Sequence, residues 1–158
     1  MTADPDAAGG DGLLDALPAE ERAQLMALAR DTVLPAGTRV FEEGGEADRF
    51  WVLRSGTVAL DIQVPGRGRA VVETIGPGGL LGWSWLCPPR QWHLGAETRE
   101  PTRAWTFDAA AVRDLCAARP VLGLALVTLV AETIGERLRA TRTRLLDLYR
   151  TPESGRTP

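Results

Sequence analysis

Residues 76–98, GPGGLLGWSWLCPPRQWHLGAET, hold the side chains of this sequence best placed to do chemistry. A glycine-rich turn, Gly76-Pro77-Gly78-Gly79, leads into Gly82-Trp83-Ser84-Trp85, which reads as a short helix start. Pro88-Pro89 breaks it, Arg90 and Gln91 follow, and the chain returns to strand at Trp92. N–H groups at a helix start have no internal partner, and the helix dipole favours negative charge there. An arginine adds a planar fork that fits phosphate or carboxylate. The expected chemistry is anion binding, with Trp83, Trp85 and Trp92 either walling a ligand or packing into the core. Arg90 has a competing role as ion-pair partner of Glu97 or Glu100. His93 is the only histidine and reads as a satisfied strand residue rather than a metal or haem ligand. Cys87 reads as a half-buried, unreactive thiol. Ser84 has no histidine or acid at a readable spacing, so no catalytic set emerges and an enzyme is not expected.

The elements that must position this stretch are short strands. From residue 31 to 107, runs at 32–34, 39–41, 50–53, 57–62, 70–75, 92–98 and 103–107 alternate with turn signals such as Pro35-Ala36-Gly37, Gly44-Gly45, Ser55-Gly56 and Pro65-Gly66-Arg67-Gly68. Many short strands at such spacing predict an antiparallel barrel or sandwich. Residues 13–30 precede them as one or two short helices, with Pro18 and two acids suited to a helix start. Asp108 reads as the cap of a helix running to about residue 118.

A long helix is predicted over residues 120–149. Leu124, Val127, Ala131, Ile134, Leu138, Thr141, Leu145 and Leu148 alternate steps of three and four, a sustained heptad seam. Leu122, Leu126, Leu129 and Val130 make a second apolar group in the first half only. The first half is therefore expected to bury two faces, one on the barrel and one on a partner helix, and the second half one. A parallel homodimer helix follows, against the alternative of a helix packed wholly on its own barrel.

Composition narrows the class. The chain has 158 residues, 44% apolar and 25% charged, enough for one core plus tails. A net charge of −3 argues against non-specific nucleic-acid binding. All 18 basic residues are arginine, a bias read as coding composition. No apolar run approaches the ~20 residues a membrane helix needs, and the acidic, Gly/Ala-rich start lacks the apolar region of a signal peptide. A cytoplasmic setting without membrane contact is expected. Cys87 and Cys116 form neither a disulfide framework nor a metal-site spacing. The division expected is a disordered tail at 1–12, a helical lead-in, β-roll and short helix at 13–119, the long helix at 120–149, and a disordered tail at 150–158.

Four segments together resemble the cyclic-nucleotide-binding domain of the CRP/FNR superfamily: Leu34-Pro35-Ala36-Gly37; Glu43-Gly44-Gly45-Glu46-Ala47-Asp48; Phe50-Trp51-Val52-Leu53-Arg54-Ser55-Gly56-Thr57-Val58; and Gly76-Pro77-Gly78. The resemblance spans residues 13–149. It implies a mainly β fold, an antiparallel jelly-roll-like β-roll with flanking helices and a long C-terminal dimerisation helix. It also implies cAMP or another cyclic nucleotide as ligand, with no other cofactor assigned. In that family the cassette reads Gly-Glu-x-Ala-Leu, followed by an arginine and a small residue. The glutamate takes a ribose hydroxyl, and the arginine holds the cyclic phosphate. This chain keeps Gly82 and Arg90 but puts Trp83 at the glutamate, Ser84 next, Trp85 at the alanine and Gln91 after the arginine. Thr141 falls where the long helix presents a hydroxyl to the purine, with Arg142 beside it. An indole cannot accept a hydroxyl's hydrogen bond, and a buried hydroxyl without its partner loses about 1–3 kcal/mol.

The implied site is therefore Gly82, Trp83, Ser84, Trp85, Arg90, Gln91, Trp92 and Thr141, in a divergent Trp-Ser-Trp-Leu form. The tail at 150–158 leaves no room for a helix-turn-helix, so direct DNA binding is not expected. The expected function is a stand-alone sensor that binds a cyclic nucleotide or another anionic or aromatic molecule and signals through a dimer helix to a protein partner. The alternatives are a ligand-free scaffold, or the sensor part of a transcription regulator of that superfamily.

Overall fold

A computed structural model describes residues 12–150. Of the tails expected at 1–12 and 150–158, residues 1–11 and 151–158 lie outside the described residues. Helix α1 (Ala19–Met26) leads into β1 (Arg30–Leu34), β2 (Arg39–Phe41), β3 (Arg49–Ser55), β4 (Val58–Val64), β5 (Gly68–Ile75), β6 (Leu80–Leu81), β7 (Gly95–Thr98) and β8 (Thr102–Asp108). Helices α2 (Ala109–Ala118) and α3 (Pro120–Tyr149) complete the order. The strands form two four-stranded sheets, β1-β8-β3-β6 and β2-β7-β4-β5, and every strand pair is antiparallel. This is the antiparallel two-sheet architecture that the strand spacing predicts, in the β-roll form that the resemblance implies.

The core lies between the sheets and under the helices. In β3, Phe50, Trp51, Val52 and Leu53 are all buried, since both faces of the strand are covered. Phe50 stacks on Phe107 of β8 at 4.8 Å and on Trp85 at 4.4 Å. The Asp108 carboxylate caps α2 by accepting from the Ala111 N–H at 2.8 Å. Pro120 opens α3, where a missing N–H costs nothing. Leu122, Leu126 and Val130, at successive four-residue steps, are fully buried against the roll. The opposite face of α3 is open: Leu124, Val127, Leu138, Leu145 and Leu148 are exposed, and from Leu138 to Arg150 every residue is.

Two local expectations fail. The short helix at 82–85 does not form; residues 82–94 are turns and bends, with one isolated bridge between Gln91 and Glu46. Pro88 and Pro89 lack donors and disfavour helix in the residue before them. Gly82 stands at φ +90°, outside the helical region. The strand expected from Trp92 begins only at Gly95. Strand β6 is an addition, its two leucines paired to Trp51 and Val52 of β3.

One ion pair pins β2 to β4 across β7. Arg39 donates to both carboxylate oxygens of Asp61, at 2.5 and 2.8 Å, and to Glu42 at 2.7 Å. Gly95 permits this, because a Cβ there would sit 2.1 Å from Arg39 Nη2. The hydrogen bond from Arg39 outweighs burial and holds the Asp61 carboxyl below its usual value. A carboxyl with a lowered folded pKa stabilises the fold above its unfolded value of about 3.9. That stability drains as pH falls through the lower folded value. Asp61→Ala should cost about 3 kcal/mol, the low end for breaking a buried pair, because the Arg39 side chain stays 20% exposed. The variant should also lose less further stability than the parent as pH drops below about 4. Urea midpoints at pH 7 and pH 3 give both numbers; a variant whose midpoint shifts equally at the two pH values removes the ionised pair as the cause.

Candidate functional site

The turn stretch after β6 packs against the mouth of the roll. Gly82 at φ +90° swings the chain so that its Cα faces the Trp92 ring, leaving no room for a side chain. Trp92 is 5% exposed and stacks on Phe41 of β2 at 4.0 Å. It also lies 6.2 Å from Trp51, tilted. Trp83 is half-buried and leans on the His93 ring, 4.4 Å between centroids. Ser84 is buried, and its Oγ lies 3.1 Å from His93 Nδ1. Sequence spacing gives no sign of this pairing: the turn brings together two residues nine apart.

These groups line a cavity of about 20 Å³ together with Arg137 from α3. That is room for about one water. Arg137 donates from Nη2 to the carbonyl of Leu80 in β6, and its Nε lies 3.5 Å from Glu73 of β5. Burial lowers the Arg137 pKa, with Glu73 and then Glu136 opposing it. Burial also holds His93 below the ordinary imidazole value; the Arg137 charge adds to this and Glu43 opposes it. His93, itself an exposed residue, thus stands beside a guanidinium that is largely withdrawn from water.

The remaining predicted residues lie elsewhere. Trp85 is fully buried against Phe50 in the core; its carbonyl accepts from Arg113 at 2.8 Å, and its indole N–H is buried without a partner. Arg90 and Gln91 line a separate outer groove of about 590 Å³ beside Asp48, Asp108 and Arg113. Arg90 sits at φ +54°, in the left-handed region, held by its N–H to Cys87 and its carbonyl to Ala47. Thr141 is exposed and donates to the Arg137 carbonyl one turn back. Cys87 is exposed rather than half-buried. Among the described residues no cluster of three or more His, Cys, Asp or Glu could hold a metal, and no helix is long and apolar enough to cross a membrane.

The family model for the cyclic nucleotide-binding domain matches residues 31–119, from β1 through α2. The chain belongs to this family. Among curated proteins, a CRP-like cAMP-activated global transcriptional regulator from Mycobacterium tuberculosis (strain CDC 1551 / Oshkosh) is 31% identical over 122 residues. The match takes in 77% of this chain and 53% of that protein, so the chain spans about half the length of the curated relatives it matches. Among solved structures, a cyclic nucleotide-binding domain from Methylobacillus flagellatus KT superposes with a TM-score of 0.78 at 19% identity, covering 87% of this chain and 77% of that one. The N-terminal domain of a transcriptional regulator from Streptomyces coelicolor A3(2) gives 0.67 at 24%, covering 85% and 94%. At those identities the two structures speak to the fold. The expected membership of the CRP/FNR superfamily and the β-roll both hold.

In this cyclic nucleotide-binding domain, the site residues expected from the sequence omit Arg137, which lines the cavity from α3. The signal was present. Continuing the roll-facing stripe Leu122, Leu126, Val130 by further steps of three and four arrives at Thr133, half-buried, and then Arg137.

Proposed function

We propose that this domain is a non-catalytic sensor whose roll binds a small ligand, a cyclic nucleotide or another anionic or aromatic molecule, and which passes the bound state to a protein partner through a homodimeric α3. One observation carries this reading: the cavity bounded by Gly82, Trp83, Ser84 and Trp92 is completed by Arg137, a residue of the helix itself. A ligand entering there contacts the cassette and α3 together, so it has different affinities for different placements of α3, which is what a population shift requires. The family membership and the CRP-like relative support ligand sensing as the class. A second copy is the occupant of the exposed α3 seam, since Leu124, Val127, Leu138, Leu145 and Leu148 repeat at heptad spacing with charged neighbours.

The test is a melting-temperature titration of the full chain with cyclic AMP, cyclic GMP and cyclic dinucleotides. Saturation near a hundred times Kd adds about 2.7 kcal/mol. At about 2–4 °C per kcal/mol for a chain of this size, that is a rise of several degrees. A flat response to every nucleotide up to millimolar concentration removes cyclic nucleotides as the ligand.

A further inference from the structure

We infer that the phosphate of an anionic ligand is held in the roll by Arg137 of α3, with His93 and Ser84 in the same cavity, and not by Arg90. The inference rests on the ligand-sensing reading above and names the chemistry of that site. Arg137 and His93 line the same cavity, whereas Arg90 lines a separate groove together with Pro89. Arg137 has lost most of its water, and its Glu73 contact is 3.5 Å, longer than a charge-assisted hydrogen bond. A desolvated guanidinium gains strongly from a close oxyanion, and its planar fork matches two phosphate oxygens. Ser84 Oγ and the His93 ring, in contact at 3.1 Å, line the same cavity and bring further hydrogen-bonding groups to it. The cavity of about 20 Å³ admits a ligand only if its lining moves, and Trp83, half-buried and resting on the exposed His93, is part of that lining. A single phosphate group asks for less of that movement than a purine does.

The same guanidinium ties α3 to β5 and β6 through Glu73 and Leu80. A phosphate on Arg137 therefore competes with Glu73, and ligand entry loosens one of the contacts that seat the helix. This gives opposite expectations for two substitutions of the same ion pair. Arg137→Gln removes the phosphate's partner. Glu73→Gln removes the competitor and leaves the partner free.

His93 is the only histidine of the chain, so its ring-proton NMR signals report on this cavity without ambiguity. The experiment follows those signals and the melting temperature while the full chain is titrated with cyclic AMP, inorganic phosphate and adenosine. Cyclic AMP or phosphate should move the His93 signals, and adenosine should not. The midpoint should rise at least ten-fold in Arg137→Gln, fall in Glu73→Gln and stay unchanged in Arg90→Gln. Arg137→Lys, which keeps the charge and loses the fork, should lie between parent and Arg137→Gln and guards against a glutamine variant that does not fold. A response to inorganic phosphate assigns the site to a free oxyanion; a response to cyclic AMP alone assigns it to a phosphodiester on a nucleoside. Loss of the response in Arg90→Gln with retention in Arg137→Gln overturns the inference. So does a ligand that raises the melting temperature without moving His93, a result that leaves the ligand-sensing reading standing. Silence in both readouts with all three compounds removes the inference and the phosphate-ligand form of that reading together.

Discussion

Gly82→Ala should destabilise the domain by about 2–4 kcal/mol. Two costs add. Gly82 stands at φ +90°, and an alanine held there costs about 1 kcal/mol in backbone strain. A Cβ would lie 2.7 and 2.8 Å from two atoms of the Trp92 six-membered ring. That ring has little room to retreat, because it is stacked on Phe41 at 4.0 Å and is 5% exposed. Forcing one carbon into such packing costs about 1–3 kcal/mol. Urea denaturation measures the sum as a lower midpoint at unchanged slope. Gly76→Ala is the control: nothing lies within 4 Å of its would-be Cβ and its φ is ordinary, so less than about 0.5 kcal/mol is expected. If the two substitutions cost the same, Trp92 is not clamped over Gly82, and the tight cavity drawn from that contact goes with it.

What the sequence made legible follows the reach of local signals. Strand and helix placement needs only periodicity and turn residues. The α3 bounds, 120–149, coincide with the observed Pro120–Tyr149 because a proline opens the helix and a polar, proline-bearing sequence follows it. The Asp108 cap was legible for the same reason. The candidate site was less so. Its four cassette residues Gly82, Trp83, Ser84 and Trp92 meet at one cavity, but the helix start drawn through them is absent. Spacing along the chain could not show that the turn after Gly82 puts Ser84 on His93, nor that Arg90 leaves the roll while Arg137 enters it. Those are tertiary facts, set by a glycine at positive φ and by which side of α3 the leucines bury. An arginine inside an apolar stripe reads as polar face until the stripe is extended through it, and aligning a motif by its arginine selects whichever arginine is nearest in sequence.

The substitution with the largest expected effect leaves the monomer's core untouched. Leu138→Glu and Leu145→Glu together should dissociate the proposed dimer. The two leucines lie seven residues apart on the seam, half-exposed at 50% and 52% in the single chain, and the roll-facing Leu122, Leu126 and Val130 are on another face. In a two-fold pairing each substitution acts twice, so four leucine side chains lose their partner. Burying the remaining half of each is worth about 1 kcal/mol, so about 4 kcal/mol is lost before the repulsion of four new carboxylates. At 1.4 kcal/mol per decade, the dimer dissociation constant rises at least about a thousand-fold. Sedimentation equilibrium measures it directly. The parent's melting temperature should climb with protein concentration and the variant's should not, since only an associated chain gains stability by mass action. The variant should still melt cooperatively, because nothing in its roll has changed. A parent that sediments as a monomer at hundreds of micromolar, or a variant that stays dimeric, ends the assignment of a second copy to this face. In either case α3 would have to deliver the ligand signal alone, from an exposed terminal half that carries Leu145, Leu146, Leu148 and Tyr149 to some other surface.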